Sequence, residues 1–519
     1  METVIVHVGS DPHFFALLFY PTMNSHTRQK VWKLHSLLGI ILGLPLFIIF
    51  LAGSFAFYQN EAIHWTHAEM IEPIPETTPS LDSIVHEMSL KAGELKQVTF
   101  RVARPERPVT DIYWKNQGDE WSHYWNLPTS NQTIEATDHD ADYLHFLVDL
   151  HYFDFLPYGR MMTGIIATLF FSIILTGVIY QWRGLKNDFK WSRLKKTGRG
   201  FWKNWHRTLS AVTMPFQAIY SATGAVLTIG LLASAPAIVL FFDGSQEKLE
   251  VAISPIEHVT SDQSSHHIQL DLARRKSEKI WGYQVETSLV QVISHEGKAP
   301  TIIVEGREKG FRFLRQHQIA FTADASVIQS AGPGEMLGAA LIEGIVNLHF
   351  GIFGAFWIKI ALGALGLVVA FSTAAGILIL LQRHQSGKRA RWLTILEALT
   401  YWVIAGFPLA IMVGLTTATI AIEYSVISFW LTLGVVFLIL LIRRKTPQLH
   451  RYYILTGLVS WGALVSFAIK NYTSAFPLGS PHQEFVTIFS LCILGYGFLM
   501  FAIAYYINTR KTPQLPEKS

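Results

Sequence analysis

Uninterrupted apolar stretches, each long enough to cross a lipid bilayer, recur along this chain of 519 residues. A helix needs about 20 apolar residues to span the hydrocarbon layer, and a soluble core rarely needs even one such run. Only 15% of the residues are charged, too few to cover the surface of a soluble protein of this size. The sequence therefore predicts a polytopic helical membrane protein of mainly α class, with about eight spans at roughly 36–58, 160–182, 208–232, 358–382, 394–417, 425–442, 452–470 and 485–507.

The placement of Lys and Arg among the short loops predicts the orientation of these spans. Arg28, Lys30 and Lys33 precede the first span, and residues 183–207 carry nine Lys and Arg. Every second loop thereafter is basic as well, and the remaining loops are not. We therefore expect a bacterial inner-membrane protein with both termini in the cytoplasm. The other basic positions are Arg383, Lys388, Arg389 and Arg391, then Arg443, Arg444, Lys445 and Arg451, then Arg510 and Lys511.

The single cysteine, Cys492, lies in the last predicted span. One cysteine excludes a disulfide, a cysteine-ligated iron–sulfur cluster and covalent haem attachment within this chain, so any haem is non-covalent. Residues 1–22 lack a secretory signal pattern, and we expect the natural protein to start at Met23. The predicted segments are an N-terminal extension 1–22, a first span 23–58, periplasmic insert 59–158, two spans with a basic loop 159–242, periplasmic insert 243–345, a fourth span 346–382 and a four-span C-terminal bundle 383–519.

The first half of the chain is an internal duplication of the unit span, insert, span. The segment around His35 aligns with the segment around His206, and in that register Gly53 falls on Gly224. The segment after Leu150 likewise aligns with the segment after Leu348. Continuing that register places Arg160 on Lys359, Gly177 on Gly376 and Arg183 on Arg383, and in the first alignment Pro45 is one residue from Pro215.

Each insert is predicted to be a small α/β module, with a helix near 80–93 or 268–280 followed by alternating strands. One helix and a few strands make a minimal core, so we expect the modules to depend on the spans or on each other. The predicted strand segments are 97–102 and 111–114 in the first insert, and 301–305 and 311–314 in the second.

Four histidines stand at repeat-related span ends. His35 and His206 lie at the cytoplasmic mouths of two spans, and His151 and His349 lie just before two spans that enter from the periplasm. A non-covalent haem between two helices needs one imidazole from each helix at the same depth. The topology therefore predicts two haem b groups, one on each side of the membrane.

Other readings of these residues stay open. A histidine at a span end is often only an interfacial residue, although four at symmetric places favour ligation. His145 is the rival to His151, but its distance from Gly177 matches the second repeat less well. Arg160 and Lys359 are candidate partners of haem propionates, or they extend to the interface as long basic side chains commonly do.

Glu61, His64 and His67 follow one another at intervals of three residues near the end of the first span. This spacing on a helix suits a metal site, but it equally suits the hydrated face of a helix end. We expect the second, a wet face.

These features together resemble the PepSY-associated transmembrane family of iron-regulated inner-membrane proteins. The resemblance is carried by the His35 span, the entry from Leu150 to Arg160, the segment 202–206 and residues 348–350, and it covers about residues 30–385. That family includes di-haem ferrisiderophore reductases. The resemblance implies PepSY-like periplasmic inserts and reduction of a periplasmic Fe(III)-siderophore with release of Fe(II).

The expected function is that of a ferric-chelate reductase, a transmembrane b-type cytochrome that receives electrons from quinol or from a cytoplasmic reductase. No nucleotide-binding turn identifies the donor. No nucleic-acid partner is expected, and the lipid bilayer is the environment of the spans. The alternative is a haem-free PepSY-type sensor or permease for a periplasmic ligand.

Overall fold

The protein is described by a computed structural model that covers residues 24–67, 80–107, 109–127, 132–135, 143–190, 200–233, 238–240, 242–260, 268–294, 298–383, 391–442, 448–471 and 481–509. The expected N-terminal extension 1–22 lies outside these residues. So do several basic positions used above to orient the chain: Lys388, Arg389, 443–445, Arg510 and Lys511.

Helices alternate with two groups of strands along the chain. The helices are α1 (Ser25–Ala56), α2 (Gln59–Thr66), α3 (Leu81–Ala92), α4 (Tyr143–Tyr152), α5 (Gly159–Gln181), α6 (Leu185–Asp188), α7 (Phe201–Val212), α8 (Met214–Ala233), α9 (Gln246–Ile253), α10 (Leu270–Trp281), α11 (Leu337–Phe350), α12 (Phe356–Arg383), α13 (Arg391–Ala418), α14 (Ser425–Ile442), α15 (Leu449–Lys470) and α16 (Pro481–Thr509). The strands are β1 (Leu95–Arg101), β2 (Thr110–Asn116), β3 (Trp121–Leu127), β4 (Gln132–Glu135), β5 (Val285–Ile293), β6 (Thr301–Glu308), β7 (Gln316–Thr322) and β8 (Val327–Ala331).

Within the described residues, 7 helices are long and apolar enough to cross a membrane: α1, α5, α12, α13, α14, α15 and α16. The third predicted span, 208–232, corresponds to two helices. α7 and α8 are long and apolar enough to cross a membrane only when they are taken together, and the angle between them is 69°. Counting the bent pair as one span gives 8.

The bend between α7 and α8 has a local cause. Pro215 is the second residue of α8, and proline lacks the backbone N–H that a continuous helix would need there. Gln217 compensates, since its side-chain amide donates to Thr213 Oγ1 at 2.7 Å and to the Ser210 carbonyl at 3.3 Å. Pro45, its neighbour in the repeat alignment, lies inside the continuous helix α1.

The two inserts form one antiparallel sheet of 8 strands, in the order β4-β3-β2-β1-β5-β6-β7-β8. The halves join at β1 and β5, where Val98 is opposite Val292 and Phe100 is opposite Val290. Of the two supports expected for the modules, the spans or each other, strand pairing shows the second. The predicted strand 311–314 is wrong: β7 begins at Gln316, and Phe311 and Phe313 instead pack on Phe353, each with 5.9 Å between ring centroids.

Helices α3 and α10 cover one face of this sheet and cap each other. Asp271 accepts hydrogen bonds from the Leu81 and Asp82 backbone N–H groups, and Asp82 accepts from those of Leu270 and Asp271. Each aspartate thus satisfies the free N–H groups at the start of the other helix. The core beneath them contains Ile84, Met88, Val98, Phe100, Ile112, Trp114, Val290, Val292, Ile302 and Val304.

The helical bundle is built around α1, which packs against α12, α4 and α5. α7 packs on α12, and α8 packs on α5, so helices of the two repeats alternate. The C-terminal helices α13 to α16 pack on one another and reach the rest of the chain where α13 contacts α1 and α16 contacts α2. We call the end of the bundle that carries the sheet the sheet side, and the opposite end the distal side.

Candidate functional site

The distal pair consists of His35 on α1 and His206 on α7. The centroids of their imidazole rings are 6.3 Å apart, and the ring planes are inclined by 59°. His35 Nδ1 lies 3.1 Å from the Ile173 carbonyl oxygen, and His206 Nδ1 lies 2.9 Å from the Ser372 carbonyl oxygen. Each ring is therefore oriented by a hydrogen bond from Nδ1 to the second span of its own repeat, α5 for His35 and α12 for His206.

The sheet-side pair consists of His151 at the end of α4 and His349 at the end of α11. Their ring centroids are also 6.3 Å apart, with an angle of 42° between the planes. His151 Nδ1 lies 2.7 Å from the Ile49 carbonyl oxygen, and His349 Nδ1 lies 2.8 Å from Thr223 Oγ1. The second pair thus repeats the ring separation of the first.

This separation fits a metal ion between the rings. Two opposed metal–nitrogen bonds of about 2 Å, plus about 1.1 Å from each nitrogen to its ring centroid, place the centroids about 6 Å apart. A metal-ligating histidine also usually donates its second N–H to a carbonyl or another acceptor, which fixes the tautomer. In both pairs, each histidine meets this condition through Nδ1. Nε2 is therefore the nitrogen that would bind the metal.

Each of the four rings lies against a glycine of a neighbouring helix. A Cβ atom at Gly53 would be 2.6 Å from His151 Nδ1, closer than any side chain tolerates. The four glycines are two repeat-related pairs in the alignment made from sequence. The contacts, from the ideal Cβ position to the nearest ring atom, are Gly53 to His151 at 2.6 Å, Gly224 to His349 at 3.5 Å, Gly177 to His35 at 3.2 Å and Gly376 to His206 at 3.2 Å.

A cavity of about 730 Å³ surrounds the distal pair. This volume is within the range of cofactor pockets, about 300 to 1,000 Å³. His35 and His206 both contribute to its wall, which is mostly apolar in its interior. Basic residues stand at its distal end: Arg28, Lys203, Arg207 and Arg383. The cavity is thus suited to a flat apolar molecule with anionic groups at one edge.

His145 is not opposite His349. Its Nδ1 is 2.8 Å from Gln59 Nε2, and its Nε2 is 3.7 Å from Asp149 Oδ1. The structure brings His151 rather than His145 next to the second-repeat histidine.

The matched basic residues Arg160 and Lys359 have different surroundings. Arg160 is exposed, with its guanidinium 3.3 Å from Asp154 and 3.1 Å from the Tyr152 hydroxyl. Lys359 is buried, and its ammonium is 2.6 Å from Glu61 Oε1. Lys359 therefore forms an ion pair with Glu61, a partner that the sequence did not indicate.

The expectation of a wet face at Glu61, His64 and His67 is wrong. All three side chains are at most 3% exposed, because α2 is covered by α16 and by the sheet. His64 packs on Phe485, and His67 packs on Trp125. Among the residues that the structure describes, no group of three or more His, Cys, Asp or Glu could hold a metal ion, so the metal alternative has no support there either.

Sequence reasoning missed the groups that orient the imidazoles. Three of the four acceptors are backbone carbonyls, which every residue carries and no residue type identifies. The hydroxyls had a usable signal, because Thr176 and Thr223 each directly precede a glycine that packs on a histidine. The two threonine–glycine pairs are not equivalent in the repeat alignment, since Gly177 aligns with Gly376 and Gly224 with Gly53, and each of those partners follows an alanine.

Comparison with known proteins identifies a family for most of the chain. A family model for the PepSY-associated TM region matches residues 32–383, which include all four histidines, both inserts and the bent pair. The C-terminal helices α13 to α16 lie outside the matched region. A search of curated proteins found no match. Because the matched region is more than half of the chain, the protein belongs to the family of the PepSY-associated TM region.

Proposed function

We propose that this protein is a b-type cytochrome of the bacterial inner membrane that reduces ferric siderophores in the periplasm and releases Fe(II). His35 and His206 would hold one haem b, and His151 and His349 would hold a second. The supporting observation is that two repeat-related pairs share a ring separation of 6.3 Å and all four Nδ1 atoms have hydrogen-bond partners.

A haem held by two imidazoles would supply one-electron transfer and would not bind the substrate at its iron. The chain's own residues have simpler tasks. The carbonyls of Ile173, Ile49 and Ser372 and the hydroxyl of Thr223 hold the imidazoles in one tautomer and orientation. The four glycines leave room for the rings.

Basic residues are the partners that haem propionates need. At the distal cavity we assign this role to Arg28, Lys203 and Arg383. On the sheet side Arg160 is available at the surface, next to Tyr152, which directly follows His151. Lys359 is the second sheet-side candidate, but its role is restricted by the ion pair with Glu61.

We infer the direction of electron flow from the membrane orientation that the basic loops favour. Basic loops favour the cytoplasmic side, so the distal pair would receive electrons from quinol or a cytoplasmic reductase. The sheet side would then face the periplasm. Ferric siderophores bind iron through hard oxygen ligands that prefer Fe(III), so a single electron weakens the complex without cleavage of the ligand. No acid–base or nucleophilic group is required.

The test is an absorbance spectrum of protein purified after expression with added haem. We expect a reduced b-type α-band and about two haems per chain in a pyridine haemochrome assay. A colourless protein would leave the haem-free alternative, a PepSY-type sensor or permease. Reduced protein in sealed vesicles with the sheet side outward should then be reoxidised by a membrane-impermeant ferric siderophore.

A further inference from the structure

The two histidine pairs are far apart along the bundle. His35 and Gly53, the glycine against His151, are 18 residues apart on the single helix α1. At 1.5 Å per residue this is about 27 Å along the helix axis. Four aromatic side chains of the bundle interior connect the two ends of this interval. We call them the aromatic bridge: Phe50 of α1, Phe170 of α5, and Phe216 and Tyr220 of α8.

The rings of the aromatic bridge form a continuous series from one site to the other. Tyr220 begins the series, with its ring centroid 5.1 Å from that of His349. Phe216 follows at 4.2 Å from Tyr220, and Phe50 follows at 6.4 Å from Phe216. Phe170 ends the series at 5.4 Å from Phe50, and it lines the distal cavity. Aromatic rings in contact have centroids up to about 7 Å apart, so no step of the series is a gap.

The rings are held in place by burial and by one hydrogen bond. The three phenylalanines of the bridge are at most 9% exposed. The Tyr220 hydroxyl donates to the Leu348 carbonyl at 3.2 Å, which ties this ring to the residue before His349. A phenol loses its proton when it is oxidised, and a backbone carbonyl is too weak a base to take that proton. Tyr220 is therefore suited to contact the sheet-side site but not to carry an electron as a radical.

The bridge occurs once, although the histidine pairs occur twice. In the repeat alignment Phe50 falls on Ser221. Tyr220 falls on Ile49 in the same register. The duplication thus repeats the histidines and the glycines but not these rings. One series of rings is what a single connection between two sites requires, whereas we would expect rings that only fill equivalent core space to recur in both repeats.

We propose that the aromatic bridge is the path along which the distal site passes an electron to the sheet-side site, a role that rests on the proposed function. Electron transfer slows steeply with distance and across gaps, because atoms in contact couple two centres better than empty space does. The iron held by the distal pair is oxidised from Fe(II) to Fe(III), and the iron held by the sheet-side pair is reduced from Fe(III) to Fe(II). No covalent bond of the chain forms or breaks, and no ring is oxidised or loses a proton.

The test removes one ring from the full-length protein that carries both haems. Phe216→Leu takes out the ring that joins Tyr220 to Phe50 and leaves space that leucine does not fill. Fully reduced protein in sealed vesicles, with the sheet side outward, is mixed rapidly with ferricyanide, which does not cross the membrane. In wild type we expect the distal haem to be reoxidised closely after the sheet-side haem. In Phe216→Leu this fast distal phase should be lost, while sheet-side reoxidation keeps its rate.

Phe55→Leu is the matched control. Phe55 is a buried residue of α1 like Phe50, but its ring contacts Tyr496 of α16, at 5.4 Å, and no ring of the bridge. Unfolding temperature, haem content and midpoint potentials are measured for every variant, because a purely structural role would change them in Phe55→Leu and Phe216→Leu alike. Phe216→Tyr keeps the ring and should keep the fast distal phase. Phe50→Leu is the second bridge variant, and it decides the test if Phe216→Leu does not fold with both haems.

The outcomes separate the bridge from the proposed function. Loss of the fast distal phase in the bridge variants, with both haems bound and Phe55→Leu like wild type, supports the path. Equal distal rates in wild type, Phe216→Leu and Phe50→Leu overturn the bridge and leave the proposed function standing. An equal loss in Phe55→Leu likewise overturns the bridge alone. A protein without haem overturns the proposed function and the bridge with it.

Discussion

The two repeats, residues 24–181 and 200–383, deliver their histidines by different local structures. The first repeat carries His35 on α1, which continues through Pro45, whereas the second carries His206 on α7, which ends at the 69° bend before Pro215. Ring separation is nevertheless 6.3 Å in both pairs. The backbone geometry thus differs between the repeats. The ring separation, which a metal between two imidazoles needs, is the same in the two histidine pairs.

The repeats also differ in how they fix their sheet-side imidazoles. His151 is oriented by a backbone carbonyl and His349 by the hydroxyl of Thr223. A carbonyl cannot be removed by mutation, but a hydroxyl can. The second repeat is therefore the half in which the orientation of a proposed ligand can be tested directly.

Replacement of the sheet-side ligand should have the largest effect. His349→Ala removes an imidazole that no neighbouring apolar group can replace, so haem content should fall from about two to about one per chain. His145→Ala is the matched control, because His145 contacts Gln59 and Asp149 instead of His349. Pyridine haemochrome assays of both variants give the answer. Equal haem content in the two variants would contradict the assignment of His349.

A substitution at Gly53 tests whether haem binding needs the space beside the His151 ring as much as it needs the His349 ligand. Gly53→Ala would put a Cβ atom 2.6 Å from His151 Nδ1, so the ring must move and lose its bond to the Ile49 carbonyl. We expect loss of most of the sheet-side haem, with the distal haem retained. Gly39→Ala, on the same helix with no atom within 4 Å of the new Cβ, should leave both haems in place.

The outcome of the glycine pair is read from low-temperature absorbance or electron paramagnetic resonance, which distinguish the two haems. If Gly53→Ala behaves like Gly39→Ala, the close contact at Gly53 has no role in cofactor binding. The contact would then serve only helix packing between α1 and α4.

Sequence reasoning located the 7 helices that are long and apolar enough to cross a membrane, and it paired the histidines whose ring centroids lie 6.3 Å apart, because hydropathy and an internal repeat are properties of residue types. It missed the joint sheet, because β1 and β5 pair across about 190 residues and neither insert indicates its partner. It also misread residues 61–67. Their spacing looks hydrated on an isolated helix, but α16 and the sheet cover that face, and no local pattern encodes tertiary contacts of this kind.

A smaller effect is expected at Thr223. Thr223→Val keeps the shape of the side chain and removes the hydroxyl that is 2.8 Å from His349 Nδ1. Loss of such an outer hydrogen bond typically weakens metal binding by 10- to 100-fold, so the sheet-side haem should transfer faster to an acceptor protein. Thr176→Val should change little, since His35 Nδ1 keeps the Ile173 carbonyl at 3.1 Å. Similar transfer rates for both variants would show that the hydroxyl does not orient His349.

The smallest expected effect is a difference in stability between variants of the two capping aspartates, Asp82 and Asp271. Burial raises the pKa of Asp82, and the nearby charge of Asp271 raises it too. Burial also opposes ionisation of Asp271, but hydrogen bonds from Ser80 and the Leu81 N–H lower its pKa below the usual value. Ionised Asp271 therefore stabilises the folded sheet at neutral pH, whereas ionised Asp82 does not.

Asp271→Asn should consequently weaken the start of α3 by about 1 kcal/mol, the usual contribution of a helix cap. Asp82→Asn should change stability less, because it removes a charge that the folded state disfavours and keeps one hydrogen-bond acceptor. A lowered folded-state pKa gives stability that is present above the unfolded pKa of about 3.9 and is lost as the pH falls below it. Amide hydrogen exchange of α3 and α10 should thus separate the variants at pH 7 and at pH 5, and the difference should shrink below about pH 4. Identical exchange in the two variants at pH 7 would mean that Asp82 and Asp271 stabilise the two helix starts equally. The inserts would then lack the difference between repeats that is seen in how His151 and His349 are oriented.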